Sequence, residues 1–274
     1  MIRNGATHDV RIDRSRGIVV KRFRSYRRSE PVREWTALTL LAKFAPGLAP
    51  IPISADLDGD SPALTMSLLP GAELGTAALT PVQADALAEA LERLWRSVPS
   101  IERQFPAAVT PNPAGFTDQV RTMLAAGPVL GNAPAVVRAH AAAAAWLDRR
   151  APEYHGREGH PAILGHGDPN LANFLWDGSK IRLVDFEDSG PSDRAFELAI
   201  LTEHISAWSD ARMDADDFLS LFDLTRAEEI RVHDFRCLAA LFWLLLLLPG
   251  SPASTRNPPG TLERQADRLL GLIG

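Results

Sequence analysis

His166-Gly-Asp168-Pro-Asn-Leu-Ala-Asn173, followed by Asp185 in Leu183-Val-Asp185-Phe-Glu187, is the stretch whose reading decides the fold. Ala162-Ile-Leu164 runs apolar into it. After it, Phe174-Leu-Trp176 and Ile181-Arg-Leu183-Val184 flank the turn Asp177-Gly-Ser-Lys180. Short apolar runs around an Asp-Gly turn form a β-hairpin. The order is therefore strand, loop, hairpin, with the second hairpin strand ending at Asp185.

The D-x-x-x-x-N spacing puts Asp168 and Asn173 at the two ends of one short loop. Transfer of a nucleotide γ-phosphoryl group needs this combination. One aspartate accepts the proton of the attacking hydroxyl, while an asparagine and a second aspartate hold Mg²⁺ against the phosphates. Gly, Asp, Pro and Asn also serve ordinary turns. The strand before the loop and the hairpin after it favour the chemical reading over a structural turn.

These residues carry a resemblance. The C-terminal half resembles the aminoglycoside phosphotransferase family, relatives of choline, homoserine and protein kinases, whose H-G-D-x-x-x-x-N and D-F/W-E segments match His166 to Asn173 and Asp185 to Glu187. The resemblance implies that Asp168 is the catalytic aspartate and that Asn173 and Asp185 are the metal ligands. It also implies ATP and Mg²⁺ as cofactors. Downstream, Ser192-Asp193-Arg-Ala-Phe-Glu197-Leu-Ala199 is similar to the family's G-D-P-x-x-D-L-A, with Glu197 in place of the usual aspartate.

An enzyme of this kind needs a second lobe for the nucleotide. Ile18-Val-Val-Lys21-Arg-Phe23 is a β-rich run, and Lys21 stands where the family's strand lysine pairs with the α- and β-phosphates. The chain has three lysines (Lys21, Lys43, Lys180) among 29 basic residues, so an ammonium at this place is a marked choice. Ser29-Glu-Pro31 looks like a helix start. On the following helix Glu34, Leu38 and Leu41 share one face. A carboxylate on an apolar face wants a cation, and Lys21 is the candidate; an exposed glutamate beside Arg33 is the competing reading.

The phosphate-covering element is expected to be a hairpin, with His8 to Ile12 as its first strand and a turn from Asp13 to Gly17. Gly5 alone is available to bring backbone amides close to phosphate, so no G-x-G-x-x-G is present. The chain begins almost on this strand: the lobe is minimal, or the start is placed late. Ala63 to Leu69 reads as a last strand running into the Pro70-Gly71 break. The resemblance makes this the adenine hinge, with a gatekeeper at Met66, an accepting carbonyl at Ser67 and a donating amide at Leu69. A methionine there leans toward ATP over GTP.

At 274 residues with 46% apolar content, the chain can hold two lobes around a sizeable core. The net charge of −5 argues against nucleic acid or an anionic membrane as partner. A single cysteine, Cys237, excludes an internal disulfide. The basic, polar N-terminus shows no signal peptide. The apolar run Cys237 to Leu248 is too short for a membrane span and reads as a buried helix. Thr80-Pro-Val-Gln83 forms a capping box before the stripe Leu87, Leu91, Leu94. Loops at Pro106 to Phe116 and Gly127 to Pro134 bracket a short helix, and a second helix spans Ala135 to Arg150. Further helices follow Asp193, Asp214 and Gly260, and the run Ala141 to Ala145 reads as a tightly packed helix face.

The expected fold is therefore α+β, a two-lobe protein-kinase-like architecture. A small N-lobe (1–69), an antiparallel sheet with one helix, binds nucleotide through Lys21, Glu34, Met66, Ser67 and Leu69. A larger, mainly helical C-lobe (70–274) carries catalysis. The partner is a small-molecule hydroxyl acceptor, with no nucleic acid and no membrane, and the location is cytoplasmic. Glu187, Asp188, Glu203 and Asp210 are the acids expected to line the acceptor cleft, with Asp214, Asp216 and Asp217 nearby. Such a lining suits an aminoglycoside or another amine-bearing antibiotic, and hence antibiotic resistance; N-caps and a solvated helix face account for the same acids equally well. The alternatives are a metabolic kinase acting on choline, homoserine or a sugar, and a nucleotide-binding module without catalysis. An intact Asp168 argues against the last, since pure binding has no use for a positioned base. His155 and His160 lack metal-ligand spacing to any cysteine, and His166 is expected to orient its loop by backbone hydrogen bonds.

Overall fold

The structure is a computed structural model that describes residues 2–4, 8–24, 29–99, 105, 113–150 and 161–274. Gly5, His155 and His160 lie outside the described residues.

The N-terminal part is a five-stranded antiparallel sheet of order β1-β2-β3-β5-β4, made of β1 (Ile2–Asn4), β2 (His8–Asp13), β3 (Ile18–Phe23), β4 (Pro52–Asp56) and β5 (Ala63–Ser67). The β2–β3 turn closes on the Asp13 carboxylate, which accepts from Ser15 Oγ (2.7 Å) and the Arg16 amide (3.1 Å), while Gly17 takes the left-handed conformation. β3 is the central strand, pairing Lys21 with Val10 on one side and with Leu64 on the other. Helix α1 (Glu30–Phe44) follows, with Pro31 in its first turn and Ala37, Leu38 and Leu41 buried. Ser29 precedes it in a left-handed conformation and does not cap it with its side chain.

Leu68 donates its amide to the Gly17 carbonyl (2.8 Å), tying the exit of β5 back to the sheet. The chain then turns at Gly71 into β6 (Ala72–Glu73). β6 pairs with β8 (Phe174–Trp176) and β8 with β9 (Ile181–Leu183). β7 (Ile163–Gly165) pairs instead with β10 (Gly190–Ser192). These small sheets hold the stretch that opened the sequence, and helices surround them. α2 (Pro81–Ser97) starts with the expected capping box: Thr80 Oγ1 accepts from the Gln83 amide (3.3 Å), and Gln83 Oε1 accepts from the Thr80 amide (3.0 Å). α3 (Pro113–Ala125) begins earlier than the sequence suggested, so Pro113 to Phe116 is helix rather than loop. In α4 (Pro134–Arg150), Ala143 of the alanine run is fully buried, whereas Ala141 and Ala145 are exposed; the run is not one packed face.

Asp193 caps α5 (Arg194–Glu203) through the Phe196 amide (3.1 Å). The single turn α6 (Ile205–Trp208) and α7 (Ala215–Leu219) follow, the latter capped by Asp214. α8 (Arg226–Leu246) is the core helix anticipated from the apolar run; it packs against α5 and buries Phe235, Cys237, Leu238, Leu241 and Leu244. α9 (Pro252–Arg256), which sequence reading missed, precedes α10 (Thr261–Ile273), packed on α4 and α8. No helix among the described residues is long and apolar enough to cross a membrane. The architecture is α+β and two-lobed, as expected.

Phe235 is 1% exposed and stacks edge-on with Phe196 at 5.3 Å, whereas Val129 is 74% exposed. Phe235→Ala is expected to cost about 3–5 kcal/mol in urea unfolding. Val129→Ala is expected to stay within about 0.5 kcal/mol.

Candidate active site

The site lies where the central strand of the N-terminal sheet meets the hairpin that follows the loop. Alternation along β3 turns Lys21 inward. The residue is 3% exposed, and its ammonium reaches Glu34 Oε2 of α1 at 2.7 Å, Glu187 Oε2 at 2.8 Å and Asp185 Oδ1. Burial by itself would lower the Lys21 pKa, but Glu34, Asp185 and Glu187 outweigh it and hold the ammonium above its ordinary value. Burial pushes the Glu34 carboxyl up, against the pull of Lys21. Glu187, also desolvated, is held down at about 2 because His8 and Lys21 sit beside it; His8 Nδ1 lies 3.2 Å from Glu187 Oε2. His8 was read in the sequence only as a hairpin residue. Yet His8, Asp185 and Glu187 bring three ligand atoms within 4.8 Å of one another, an arrangement able to hold a cation.

Asp185 sits just past β9 with φ 70°. A left-handed aspartate is uncommon and costs energy unless its surroundings hold it. The turn of 3₁₀ helix over Phe186–Asp188 supplies that hold: Phe186 is fully buried, and its ring lies 4.7 Å from that of His166.

The loop is fixed from beneath. His166 Nε2 meets the Val184 carbonyl at 2.9 Å, which makes Nε2 the donor and leaves Nδ1 to accept from the Asp168 amide (3.4 Å). The buried carboxylate of Glu197 accepts from the His166 amide (3.0 Å) and from Ser192 Oγ (2.7 Å). Burial raises the Glu197 pKa, opposed by these donors. Gly167 is left-handed, and a Cβ there would overlap the Asp188 backbone, so glycine is required. Asp168 itself accepts from the Asn170 amide (3.2 Å) through Oδ1 and from Asn173 Nδ2 (2.9 Å) through Oδ2. Among the described residues no hydrogen bond engages Asn173 Oδ1, which leaves that oxygen available as a ligand.

Two cavities open on this cluster. One, of about 380 Å³, runs under the sheet and is lined by Val10, Val19, Lys21, Glu34, Met66, Ser67, Leu69, Asn173, Leu175 and Asp185. It gathers the residues expected to hold nucleotide into one slot. The Leu69 amide has no hydrogen-bond partner among the described residues. The second cavity, of about 220 Å³, lies beside Asp168 and is lined mainly by Phe116, Phe196, Ile200, Phe242 and Trp243, with Asp188 and His204.

The four acids expected along the acceptor cleft separate. Asp188 lines the second cavity, 3.2 Å from the buried Arg33, and burial foremost raises its pKa to about 6. Glu187 turns toward Lys21. Glu203 and Asp210 do not line the cavity, which corrects that expectation. Glu203 is fully buried, held by Arg236 Nε (2.8 Å) and Arg268 Nε (2.5 Å). Asp210 is exposed on a left-handed turn, 3.0 Å from Arg212. Asp214 caps α7 and Asp216 meets Arg236 at 3.0 Å, so these two acids serve the packing of α7. The aromatic lining and His204 were missed, because they come from helices distant in sequence.

Lys21→Met would leave three carboxylates facing one another without a cation. It is expected to destabilise the protein by about 3–5 kcal/mol in urea titrations. Burial holds the His204 imidazole down at about 4, although Asp168 pulls it the other way. In the unfolded chain it titrates near 6.5, so between pH 6.5 and about 4 the unfolded state binds the extra proton and stability falls with pH. The stability of His204→Phe, followed by thermal unfolding, should be correspondingly less sensitive to pH over that interval.

Residues 2–230 match the model of the phosphotransferase enzyme family. Among curated proteins, none matches the sequence at a significant level. Among solved structures, a choline/ethanolamine kinase family protein from Mesorhizobium loti is similar at 21% identity and a TM-score of 0.63, covering 100% of this chain and 88% of that one. Aminoglycoside phosphotransferase APH(3'')-Id from Streptomyces rimosus is similar at 17% identity and a TM-score of 0.58, covering 87% and 92%. A thermostable mutant of aminoglycoside phosphotransferase APH(4)-Ia, in ternary complex with AMP-PNP and hygromycin B, is similar at 14% identity and a TM-score of 0.65, covering 99% and 93%. At these identities the structural likeness is one of fold, and the family match extends it to class: the chain belongs to the phosphotransferase enzyme family and is a phosphotransferase with an alcohol group as acceptor.

Proposed function

We propose that the protein moves the γ-phosphoryl group of ATP, with Mg²⁺, to a hydroxyl of a small molecule. The observation that carries this reading is the meeting of Lys21 from the N-terminal sheet with Asp185 from the hairpin, one cavity away from Asp168. The lobes divide in this reading at residues 69 and 70. The slot under the sheet takes the nucleotide, with its base against Met66, Ser67 and Leu69, and its phosphates toward Lys21. A cytoplasmic location fits a need for ATP.

Asn173 Oδ1 and the Asp185 carboxylate are hard oxygen donors of the kind Mg²⁺ prefers. When bound there, Mg²⁺ offsets charge on the phosphate oxygens. Lys21, aligned by Glu34, holds the phosphates. Asp168, aligned by Asn173 Nδ2, accepts the proton of the acceptor hydroxyl as its oxygen bonds to the γ-phosphorus and the bond to the β-phosphate oxygen breaks, releasing ADP. The solved complex of APH(4)-Ia with AMP-PNP and hygromycin B supports a nucleotide and a small molecule as ligands of this fold. An aminoglycoside or other amine-bearing acceptor loses the support of Glu203 and Asp210. Asp188 remains as the one carboxylate besides Asp168 among the described residues of that cavity. A metabolic alcohol therefore gains weight as acceptor.

The test is ADP release from Mg·ATP with a panel of aminoglycosides, choline, homoserine and sugars. Asp168→Ala should lower kcat by about 10²–10⁴-fold while leaving nucleotide affinity nearly unchanged. Chelation of Mg²⁺ should abolish turnover. Full turnover by Asp168→Ala with an accepted substrate would refute the role of Asp168.

A further inference from the structure

The cavity beside Asp168 contains a histidine that the phosphoryl-transfer machinery does not use. His204 follows α5, and its Nδ1 accepts from the Ser206 backbone amide at 3.1 Å and meets Ser206 Oγ at 2.6 Å. A backbone N–H can only donate, so Nδ1 carries no proton and the neutral ring holds its hydrogen on Nε2. Ser206 Oγ in turn accepts from the Leu171 amide at 2.9 Å, which leaves its own proton for Nδ1 and ties the imidazole to the Asp168–Asn173 loop. Trp243 packs edge-on against the ring at 4.8 Å and fixes its plane. Nδ1 is thus committed, whereas Nε2, on the opposite edge, makes no hydrogen bond among the described residues. The ring lines the cavity that contains Asp168. Desolvation keeps the imidazole neutral down to about pH 4, so this donor persists through the working pH range.

We propose that His204 is a specificity-determining residue whose Nε2–H donates to a second oxygen of the acceptor, adjacent to the hydroxyl that is phosphorylated. This rests on the phosphotransferase reading of the same site. An N–H on the wall of the cavity attracts a lone pair and repels an ammonium. Phe116, Phe242 and Trp243 around it favour an apolar body, and about 220 Å³ favours a compact one. The acceptor class is a small, largely apolar alcohol with a neighbouring hydroxyl, ether or carbonyl oxygen. Such a substrate leaves no buried donor unpaired, whereas the analogue lacking the second oxygen does.

Three matched probes test this: cis-cyclohexane-1,2-diol, cyclohexanol and 2-aminocyclohexanol, bound to the full chain with Mg·ADP present. The readouts are the Kd of each and the ¹⁵N resonance of His204 Nε2. The diol is expected to bind about tenfold more tightly than either competitor and to shift the His204 signal. His204→Phe should erase that preference, and His204→Gln, which restores an N–H near the same place, should recover part of it. Failure of the diol to bind overturns the proposal, as does a preference for the amino alcohol or a diol preference that survives in His204→Phe. The wild-type measurements stand even where a variant fails to fold. Incubation of the same probes with Mg·ATP separates the two readings: no ADP release from any alcohol, here or in the wider panel, would count against phosphoryl transfer, while the binding order still judges His204.

Discussion

A lysine ammonium buried among three carboxylates is the constraint on which the site depends. Removing a cation from water into the interior costs several kcal/mol, and only close opposite charges with good geometry offset it. Glu34, Asp185 and Glu187 provide those charges from α1 and from the segment after β9. Since Lys21 belongs to the central strand of one lobe and Asp185 to the other, the ion cluster sets how the lobes face each other. Lys21, Glu34 and Asp185 line the nucleotide-sized cavity, and Asp188, three positions after Asp185, lines the second.

Around that cluster the backbone is held in conformations that would not persist alone. Asp185 is left-handed because Phe186 is locked beneath His166 and because its carboxylate meets Lys21. Gly167 is left-handed because the Asp188 backbone leaves no room for a side chain. Glu197 draws the His166 amide toward α5 and keeps the loop on its strand. The substitution of glutamate for the family's usual aspartate at this place retains a buried carboxylate under the loop. The loop's outward face, with Asp168, is consequently presented against a rigid floor.

Much of this was legible in the chain because it is local. The Asp-Gly turn, the capping box at Thr80, the Pro31 helix start and the D-x-x-x-x-N loop each depend on residues a few positions apart. Composition identified Lys21 through the scarcity of lysine, and helical spacing placed Glu34 on the apolar face that meets it. The acids after Asp185 were harder to read. A carboxylate looks the same in sequence whether it caps a helix, as Asp214 does, or pairs with buried arginines, as Glu203 does. Which one reaches a cavity depends on packing angles that no short window encodes.

By itself, then, the sequence determined the fold class, the hairpin and loop around Asp168 and the strand that carries Lys21, since spacing and hydrophobic period are properties of neighbours. The tertiary structure decided the rest. It brought Lys21 to Asp185 across 164 positions and drew His8 down onto Glu187. It also walled the space beside Asp168 with Phe116, Phe242, Trp243 and His204 rather than with Glu203 and Asp210. The physical reason is the same each time: burial of a charge or a ring is settled by which surfaces the packed helices and sheet bring together, and those contacts join residues that are far apart along the chain.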